Sequence, residues 1–392
     1  MKTERLHYDD PLLLAFEARV LERATHAGRP SVILDRTAFY PESGGQMADT
    51  GTLDGCRVID VQLDEAGRVH HVVEGPLPEP GAVVRGAIDE ARRREHMALH
   101  TGQHALSHAL LSELSAVTIS SRLGESACTV DVDRSGLTLA DVRRAEAIVN
   151  ALIDEDRPVR QFFPSDDELA RLELRKPPPE TDRVRVVEIE GFDVTPCGGT
   201  HCTRTSQIEL VWVRSVERYK GGTRVTFSAG PRARRLLMEQ AEALRTLAGE
   251  LACAPLEVGA SVGALRRKLD EAREEAGALR AALADAWAAR LDRPGTIVER
   301  LDRADATLLK MIAERLAHGD RVVALGADAG DGVDVVVARG PEARASAGEL
   351  VRAMAKAAGG RGGGRPELAQ GRLPAGSDLA ALFAAALAAS RG

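Results

Sequence analysis

The chain has 392 residues, enough for two or three domains that each bury a core. Its hydrophobic fraction of 44% is ordinary for a globular protein, and no run of about 18 apolar residues occurs, so a membrane span is not expected. Lys and Arg total 52 against 59 Asp and Glu, and the net charge of −7 argues against a blanket basic surface for nucleic acid, leaving only local clusters such as Arg92-Arg93-Arg94, Arg232/Arg234/Arg235 and Arg266-Arg267.

Residues 1–90 read as β-rich. Apolar runs at 31–34, 57–62, 69–73 and 83–88 are separated by turns holding Gly, Pro and Asp, which predicts a small barrel or curled sheet. The period then changes. Met97, Leu106, Leu110 and Leu111 fit a helix over 90–113, inside a second expected domain at 91–230 that also holds a helix at 139–155 and strands at 183–189 and 211–218.

From Pro231 a helical tract runs to residue 293, interrupted near Pro255. Leu265, Leu269, Ala272, Ala276, Leu279, Leu283 and Ala286 keep a 3-4 spacing over roughly three heptads, which suits an antiparallel hairpin and a dimer seam equally. A homodimer through this tract or through the C-terminal unit is therefore left open. That unit, 294–392, carries a helix at 304–317, strands at 321–325 and 333–338, a helix at 346–358, a Gly-rich loop at 359–366 and a last helix. Glycine runs are usually connectors, but Arg361 and Arg365 around Gly362-Gly363-Gly364 also suit phosphate contacts. The fold class is α+β: a β-barrel-like N-terminal domain, an α+β domain, a helical or coiled-coil tract, and a small α/β C-terminal domain.

Five cysteines, odd in number and scattered, argue against a disulfide scaffold and fit a reducing, cytoplasmic compartment; the early acid Glu4 and the lack of an apolar core near the amino terminus argue against a signal peptide.

Two short motifs carry the chemistry. In HTGQH, His100 and His104 stand at i, i+4 on one helix face, a spacing that suits one metal ion, although His108 continues the stripe and allows His104/His108 as well. In CGGTH, Cys197 and His201 flank a Gly198-Gly199 turn that lets both curl toward one ion. Cys202 follows directly; in extended backbone it and His201 face opposite sides, so both should not reach the same ion. Three His and a Cys make a zinc-like set. Four protein ligands close a tetrahedral site, an arrangement more typical of structural than of catalytic zinc.

These motifs, with Thr37-Ala38-Phe39-Tyr40-Pro41-Glu42-Ser43-Gly44-Gly45-Gln46 upstream and Lys220-Gly221-Gly222-Thr223-Arg224-Val225 downstream, resemble the editing domain of alanyl-tRNA synthetase and its free-standing relatives, the long AlaX proteins. The C-terminal unit is similar to the domain that such synthetases share with some DHH-type phosphoesterases, though no Asp-His-His cluster of that kind occurs here. The resemblance implies one Zn2+ per chain on His100, His104, Cys197 and His201, with His108 and Cys202 outside the set. It implies a substrate wall at Gly44, Gly45 and Gln46, and RNA contacts from Arg361, Gly362, Gly363, Gly364 and Arg365. Within that wall, the Thr37 hydroxyl is expected to bond the hydroxyl of a serine and so set it apart from alanine.

The expected activity is hydrolysis of mischarged Ser-tRNA(Ala), with Gly-tRNA(Ala) as a candidate second substrate. The alternative is a non-catalytic, zinc-stabilised tRNA-binding protein. No general base stands out, which assigns the chemistry to the zinc site. No ATP-binding module and no room for a synthetase core ahead of Leu34 are visible, so action on already charged tRNA is expected.

Overall fold

The computed structural model describes residues 2–181 and 183–390, and the chain folds as two compact units, Met1–Thr246 and Leu247–Gly392. Strands β1 (Glu4–Arg5), β2 (Ala15–His26), β3 (Arg29–Leu34), β4 (Arg36–Thr37), β5 (Gly51–Leu53), β6 (Cys56–Leu63), β7 (Val69–Glu74) and β8 (Val83–Ile88) occupy the first ninety residues. β1 pairs in parallel with β4. The other six pair in the order β2–β3–β7–β6–β5–β8, and β8 returns antiparallel to β2, so the ring closes around Phe16, Val20, Leu34, Phe39, Val58 and Val84. The longest of these strands, β2, was not among the expected ones. Its charged residues obscure a period of two in which Phe16, Ala18 and Val20 point inward and Glu17 and Arg19 outward.

Helix α1 (Glu90–Leu114) starts at Asp89, whose side chain caps the Arg92 amide. It is followed by β9 (Thr118–Leu123), β10 (Cys128–Val132), α2 (Leu139–Asp154), β11 (Val159–Phe162), the single turn α3 (Asp166–Leu169), β12 (Val186–Ile189), β13 (Asp193–Pro196), β14 (Val211–Tyr219) and β15 (Gly222–Ala229). A four-stranded sheet, β14–β15–β10–β9, packs on α1 and α2 over a second core that includes Leu106, Leu110, Val149, Val225 and Phe227. β11, β12 and β13 form a separate antiparallel sheet. Helix α4 (Gly230–Glu250) ends this unit's run of elements.

Arg93 corrects the simplest reading of the Arg92-Arg93-Arg94 cluster as a solvated face. It is 1% exposed and joined to Asp49 at 2.6 Å, while also donating to the Pro11 and Ala38 carbonyls at 2.7 and 2.6 Å. Asp49 in turn accepts the Tyr40 amide at 2.6 Å. A buried pair of this kind fixes α1 against the Phe39–Gln46 turn, and the same turn carries Gln46 toward the site described below.

The second unit contains α5 (Val258–Leu291), β16 (Ile297–Leu301), α6 (Ala306–Leu316), β17 (Val322–Ala329), β18 (Gly332–Arg339), α7 (Ala347–Ala358), β19 (Arg361–Gly364), β20 (Leu368–Pro374) and α8 (Leu379–Ala389). The five strands form one mixed sheet in the order β16–β17–β18–β20–β19. One core, with Leu350, Met354, Leu373 and Phe383, draws on α7 and α8; the other, with Leu309, Ile312, Leu325 and Val336, draws on α6 and the end of α5. Along the rest of α5, Leu265, Leu269, Leu279 and Leu283 are exposed.

The segment expected as a Gly-rich loop is instead the edge strand β19, paired antiparallel with β20. A Cβ on Gly362 would lie 2.6 Å from Val351 Cγ1 and 2.7 Å from Gly371 Cα, and one on Gly364 would lie 2.5 Å from Ala369 Cα. These glycines let α7 and β20 approach closely, a packing need that sequence cannot tell from flexibility.

Candidate metal centre

His100, His104, Cys197 and His201 each offer one ligand atom, and these four atoms lie within 4.8 Å of one another. The expected tetrad is thus brought together from α1 and from the turn that follows β13. The turn reaches α1 because Gly199 has no side chain: a Cβ there would sit 2.2 Å from His100 Cε1. Gly102, inside HTGQH, plays the matching part on the opposite face of α1, where a Cβ would press to 3.1 Å from Ala229 and Val211.

The surroundings fix which nitrogen of His100 and of His201 carries the proton. Gln46 Oε1 accepts the Thr200 backbone N–H at 3.1 Å, which orients the amide, and its Nε2 donates to Thr200 Oγ1 at 2.8 Å. His100 Nδ1, 2.7 Å from the same oxygen, must therefore carry the proton, leaving Nε2 as the free lone pair. Thr101 applies the same logic to His201. Its hydroxyl donates to the Met97 carbonyl at 2.8 Å and accepts the Cys202 amide at 3.0 Å, so His201 Nδ1, 3.3 Å away, donates to it. His201 Nε2 then points at Cys197 Sγ, 3.4 Å distant. For His104, Nδ1 faces Asp193 Oδ2 at 3.8 Å and has no hydrogen-bond partner.

Three imidazoles and one thiol therefore converge, two of the rings with their outer protons assigned by hydrogen bonds, which fits a metal ion of the nitrogen- and sulfur-binding class. Burial keeps the imidazoles unprotonated: His100 is lowered to about 3 and His201 to about 4, each chiefly by desolvation, and His104 well below its usual value for the same reason. Burial alone would raise the Cys197 thiol, but its polar neighbours, His201 and the Gly199 N–H, bring it below the ordinary thiol range. A lowered thiol among neutral imidazoles is a donor set ready to bind with little proton competition.

Asp193 was not singled out by sequence. It is buried, it bonds Arg175 at 2.7 Å and Thr195 at 2.9 Å, and it lies 3.4 Å from His108 Nδ1. His108 thus reaches the centre only through Asp193. Cys202 is buried with its thiol pushed up to about 12 by desolvation, which keeps it an inert packing residue. Arg185 was also missed. It is 5% exposed and donates to the carbonyls of Cys197 at 3.1 Å and Gly199 at 2.8 Å, so it holds the ligand turn in shape. A strand pattern around Arg185 and an acid opening the strand before CGGTH were the only sequence signals for these two.

The expected substrate wall is placed differently. Gln46 is fully buried, and its amide is used by His100 and Thr200. Gly44 and Gly45 take φ of +57° and +86°, and a Cβ on Gly45 would lie 2.7 Å from the Ser121 carbonyl oxygen. Gly45 thus lets the turn dock on β9, whereas a Cβ on Gly44 would meet open space. Thr37 is fully buried; its Oγ1 lies 2.8 Å from His71 Nε2 and accepts the Phe39 amide at 3.1 Å. Its hydroxyl is thus held within the ring of strands. Arg361 and Arg365 are exposed on the second unit. No helix among the described residues is long and apolar enough to cross a membrane.

Three family models match the chain: tRNA synthetases class II (A) over residues 3–92, the threonyl and alanyl tRNA synthetase second additional domain over 184–226, and the DHHA1 domain over 294–390. The chain is 34% identical over 398 residues to an alanine–tRNA ligase of Archaeoglobus fulgidus, covering 94% of this chain and 42% of that one. It is 33% identical over 389 residues to an alanine–tRNA ligase of Thermococcus kodakarensis, covering 95% and 42%. The chain spans less than half the length of these relatives. Among solved structures, the C-Ala domain from Aquifex aeolicus alanyl-tRNA synthetase is 23% identical with a TM-score of 0.24, covering 26% of this chain and 97% of that one.

A His3Cys cluster, of which Cys197 and His201 fall inside the matched second additional domain, defines the class: a protein built from modules found in aminoacyl-tRNA synthetases. Within it, the chain is related over nearly its whole length to part of the alanine–tRNA ligases, and its matches include the second additional domain and the DHHA1 domain.

Proposed function

We propose that this chain hydrolyses the ester that joins serine to tRNA(Ala), with Gly-tRNA(Ala) as a second substrate, and that zinc is the ion held by His100, His104, Cys197 and His201. The observation that supports this reading is the tetrad, whose rings are each turned toward one point inside a domain related to alanine–tRNA ligases. When bound, zinc would supply Lewis-acid polarisation of the ester carbonyl or of the water that attacks it. The chain's own residues position that chemistry. Gln46 and Thr101 keep two tautomers fixed, and Arg185 keeps the Cys197–Gly199 backbone in place. Cys197 is the one tetrad member that is not fully buried, so substrate approaches from its side.

A synthetase pocket built for alanine cannot exclude glycine by size and rejects an added hydroxyl only weakly, which gives a separate hydrolytic step its purpose. In this reading Thr37 discriminates serine by exchanging its bond to His71 for one to the substrate hydroxyl. Arg361 and Arg365 meet the tRNA backbone, and the exposed leucines of α5 offer a homodimer seam.

The test is deacylation of tRNA(Ala) charged with Ser, Gly or Ala by the zinc-loaded full chain. Hydrolysis of the Ser and Gly esters with the Ala ester spared is expected. Equal inactivity on all three, with tRNA still bound, would replace this reading with a zinc-stabilised tRNA-binding protein.

A further inference from the structure

One hydroxyl on the exposed side of the tetrad carries a proton that the protein leaves unused. Tyr8 closes the turn after β1, and its oxygen accepts Arg5 NH1 at 2.6 Å. A guanidinium has donors only, so this bond fills a lone pair of the phenol and leaves its O–H free to donate. Among the described residues no acceptor takes that proton. The hydroxyl stands beside the ligand turn: a Cβ on Gly198, between Cys197 and Gly199, would meet it at 3.6 Å and would meet nothing else within 4 Å. Tyr8 and Cys197 are both partly exposed, whereas His100, His104 and His201 are buried, so this is the side open to a substrate.

The ring is held from several directions. The rings of His7 and Phe163 meet it edge to face at 4.8 and 5.7 Å, and the Arg185 guanidinium lies 5.2 Å from its centre. A phenol fixed in this way is a preorganised donor, with nothing to reorient when charge develops in front of it. Other donors along the turn are committed. The Cys197 N–H goes to the Arg185 carbonyl at 3.0 Å, that of Gly199 to Cys197 Sγ at 3.4 Å, and that of Thr200 to Gln46 Oε1 at 3.1 Å. Arg185 spends its two terminal nitrogens on the Cys197 and Gly199 carbonyls and on Gln161. Tyr8 remains as a partly exposed side-chain donor.

We propose that the Tyr8 hydroxyl donates to the carbonyl oxygen of the bound ester as negative charge collects there, which makes Tyr8 a catalytic residue and Arg5 the residue that positions its proton. The inference rests on the deacylase reading of the tetrad. Water adds to the carbonyl carbon, and the carbonyl oxygen takes up the charge. The C–O bond to the ribose then breaks, and the proton that water gives up ends on the ribose oxygen. Tyr8 keeps its own proton throughout.

The test compares wild type with Tyr8→Phe, both full-length and zinc-loaded, in hydrolysis of Ser-tRNA(Ala). Loss of one oxyanion donor should lower kcat about 100-fold or more, with KM within about twofold and metal still at one ion per chain. Two inert probes read the same bond without turnover. Serine joined by an amide to 3′-amino-3′-deoxyadenosine stands for the ground state, and the corresponding phosphonate, with its charged oxygens, stands for the tetrahedral state. Tyr8→Phe should weaken phosphonate binding by a factor close to the fall in kcat and leave the amide within about twofold. Equal weakening of both probes would make Tyr8 a binding residue and overturn the donor role, as would an unchanged kcat. Full activity in Tyr8→Phe leaves the deacylase reading standing without this residue. Wild-type protein that hydrolyses none of the charged tRNAs overturns both.

Discussion

The glycines of the tetrad turn and the glycines of β19 look alike in sequence and serve different ends. Gly199 gives way to a candidate metal ligand, since its missing side chain is where His100 comes to lie. Gly362 and Gly364 give way to the protein's own core, letting Val351 of α7 and Ala369 of β20 close in. One set shapes a site and the other shapes a packing surface. A glycine-rich motif therefore says that something approaches closely, and only the partner says what.

This contrast can be broken by substitution. The largest effect is expected from Cys197→Ala, which removes the sulfur donor; metal content of the purified protein, read by atomic spectroscopy, should fall to background. Gly199→Ala should act nearly as strongly on metal binding by displacing His100, with the β19 sheet of the second unit unaffected. Gly362→Val reverses the pattern. Overpacking should destabilise the second unit by about 1–3 kcal/mol in denaturant unfolding while metal content stays at one per chain. If Gly362→Val instead emptied the metal centre, the two glycine sets would not be independent.

Smaller effects sharpen the same comparison. Asp193→Asn and Gln46→Ala leave all four ligands in place but remove the carboxylate charge facing His104 and the hydrogen-bond partner of His100, so zinc affinity in a chelator competition should drop about 10- to 100-fold. Thr37→Val should erode the preference for Ser- over Ala-tRNA(Ala) without altering metal content. Unchanged discrimination would leave Thr37 as a support for His71 alone.

The two units should also answer pH differently. Burial lowers His71 and His96 to about 4, so the folded first unit holds both neutral. The unfolded chain takes up their protons near pH 6.5, and stability should therefore fall as pH drops from about 6.5 toward 4 and level off above 6.5. The second unit holds a single histidine, His318, which is well exposed. Hydrogen exchange in the metal-free protein should lose protection across that window at β7 and α1 but not at β17 and β18.

Much of the fold was legible where apolar residues recur at a regular spacing, as at β8 and in the second half of α1. It failed at β2, where outward Glu and Arg residues dominate the composition of a strand whose inner face is regular. It failed again at β19, where glycine hides a strand that only tertiary packing creates. The tetrad could be named because its two motifs resemble those of a known family; spacing alone left His108 in competition with His100. Gln46, Thr101, Asp193 and Arg185 could not be given their parts, because an amide or carboxylate near a ligand acquires meaning only from the atom it faces. Gln46 was assigned to substrate on sequence grounds; the Thr200 amide and His100 claim it instead.

The central claim is that the tetrad is the hydrolytic centre and not merely a brace. The most direct measurement adds zinc in steps to metal-free, folded full-length protein and follows metal bound and Ser-tRNA(Ala) hydrolysed in the same sample. Hydrolysis that rises in proportion to zinc and saturates at one ion per chain is the expected result. Hydrolysis already at its full rate before zinc is added, or absent after the site is filled, would contradict it.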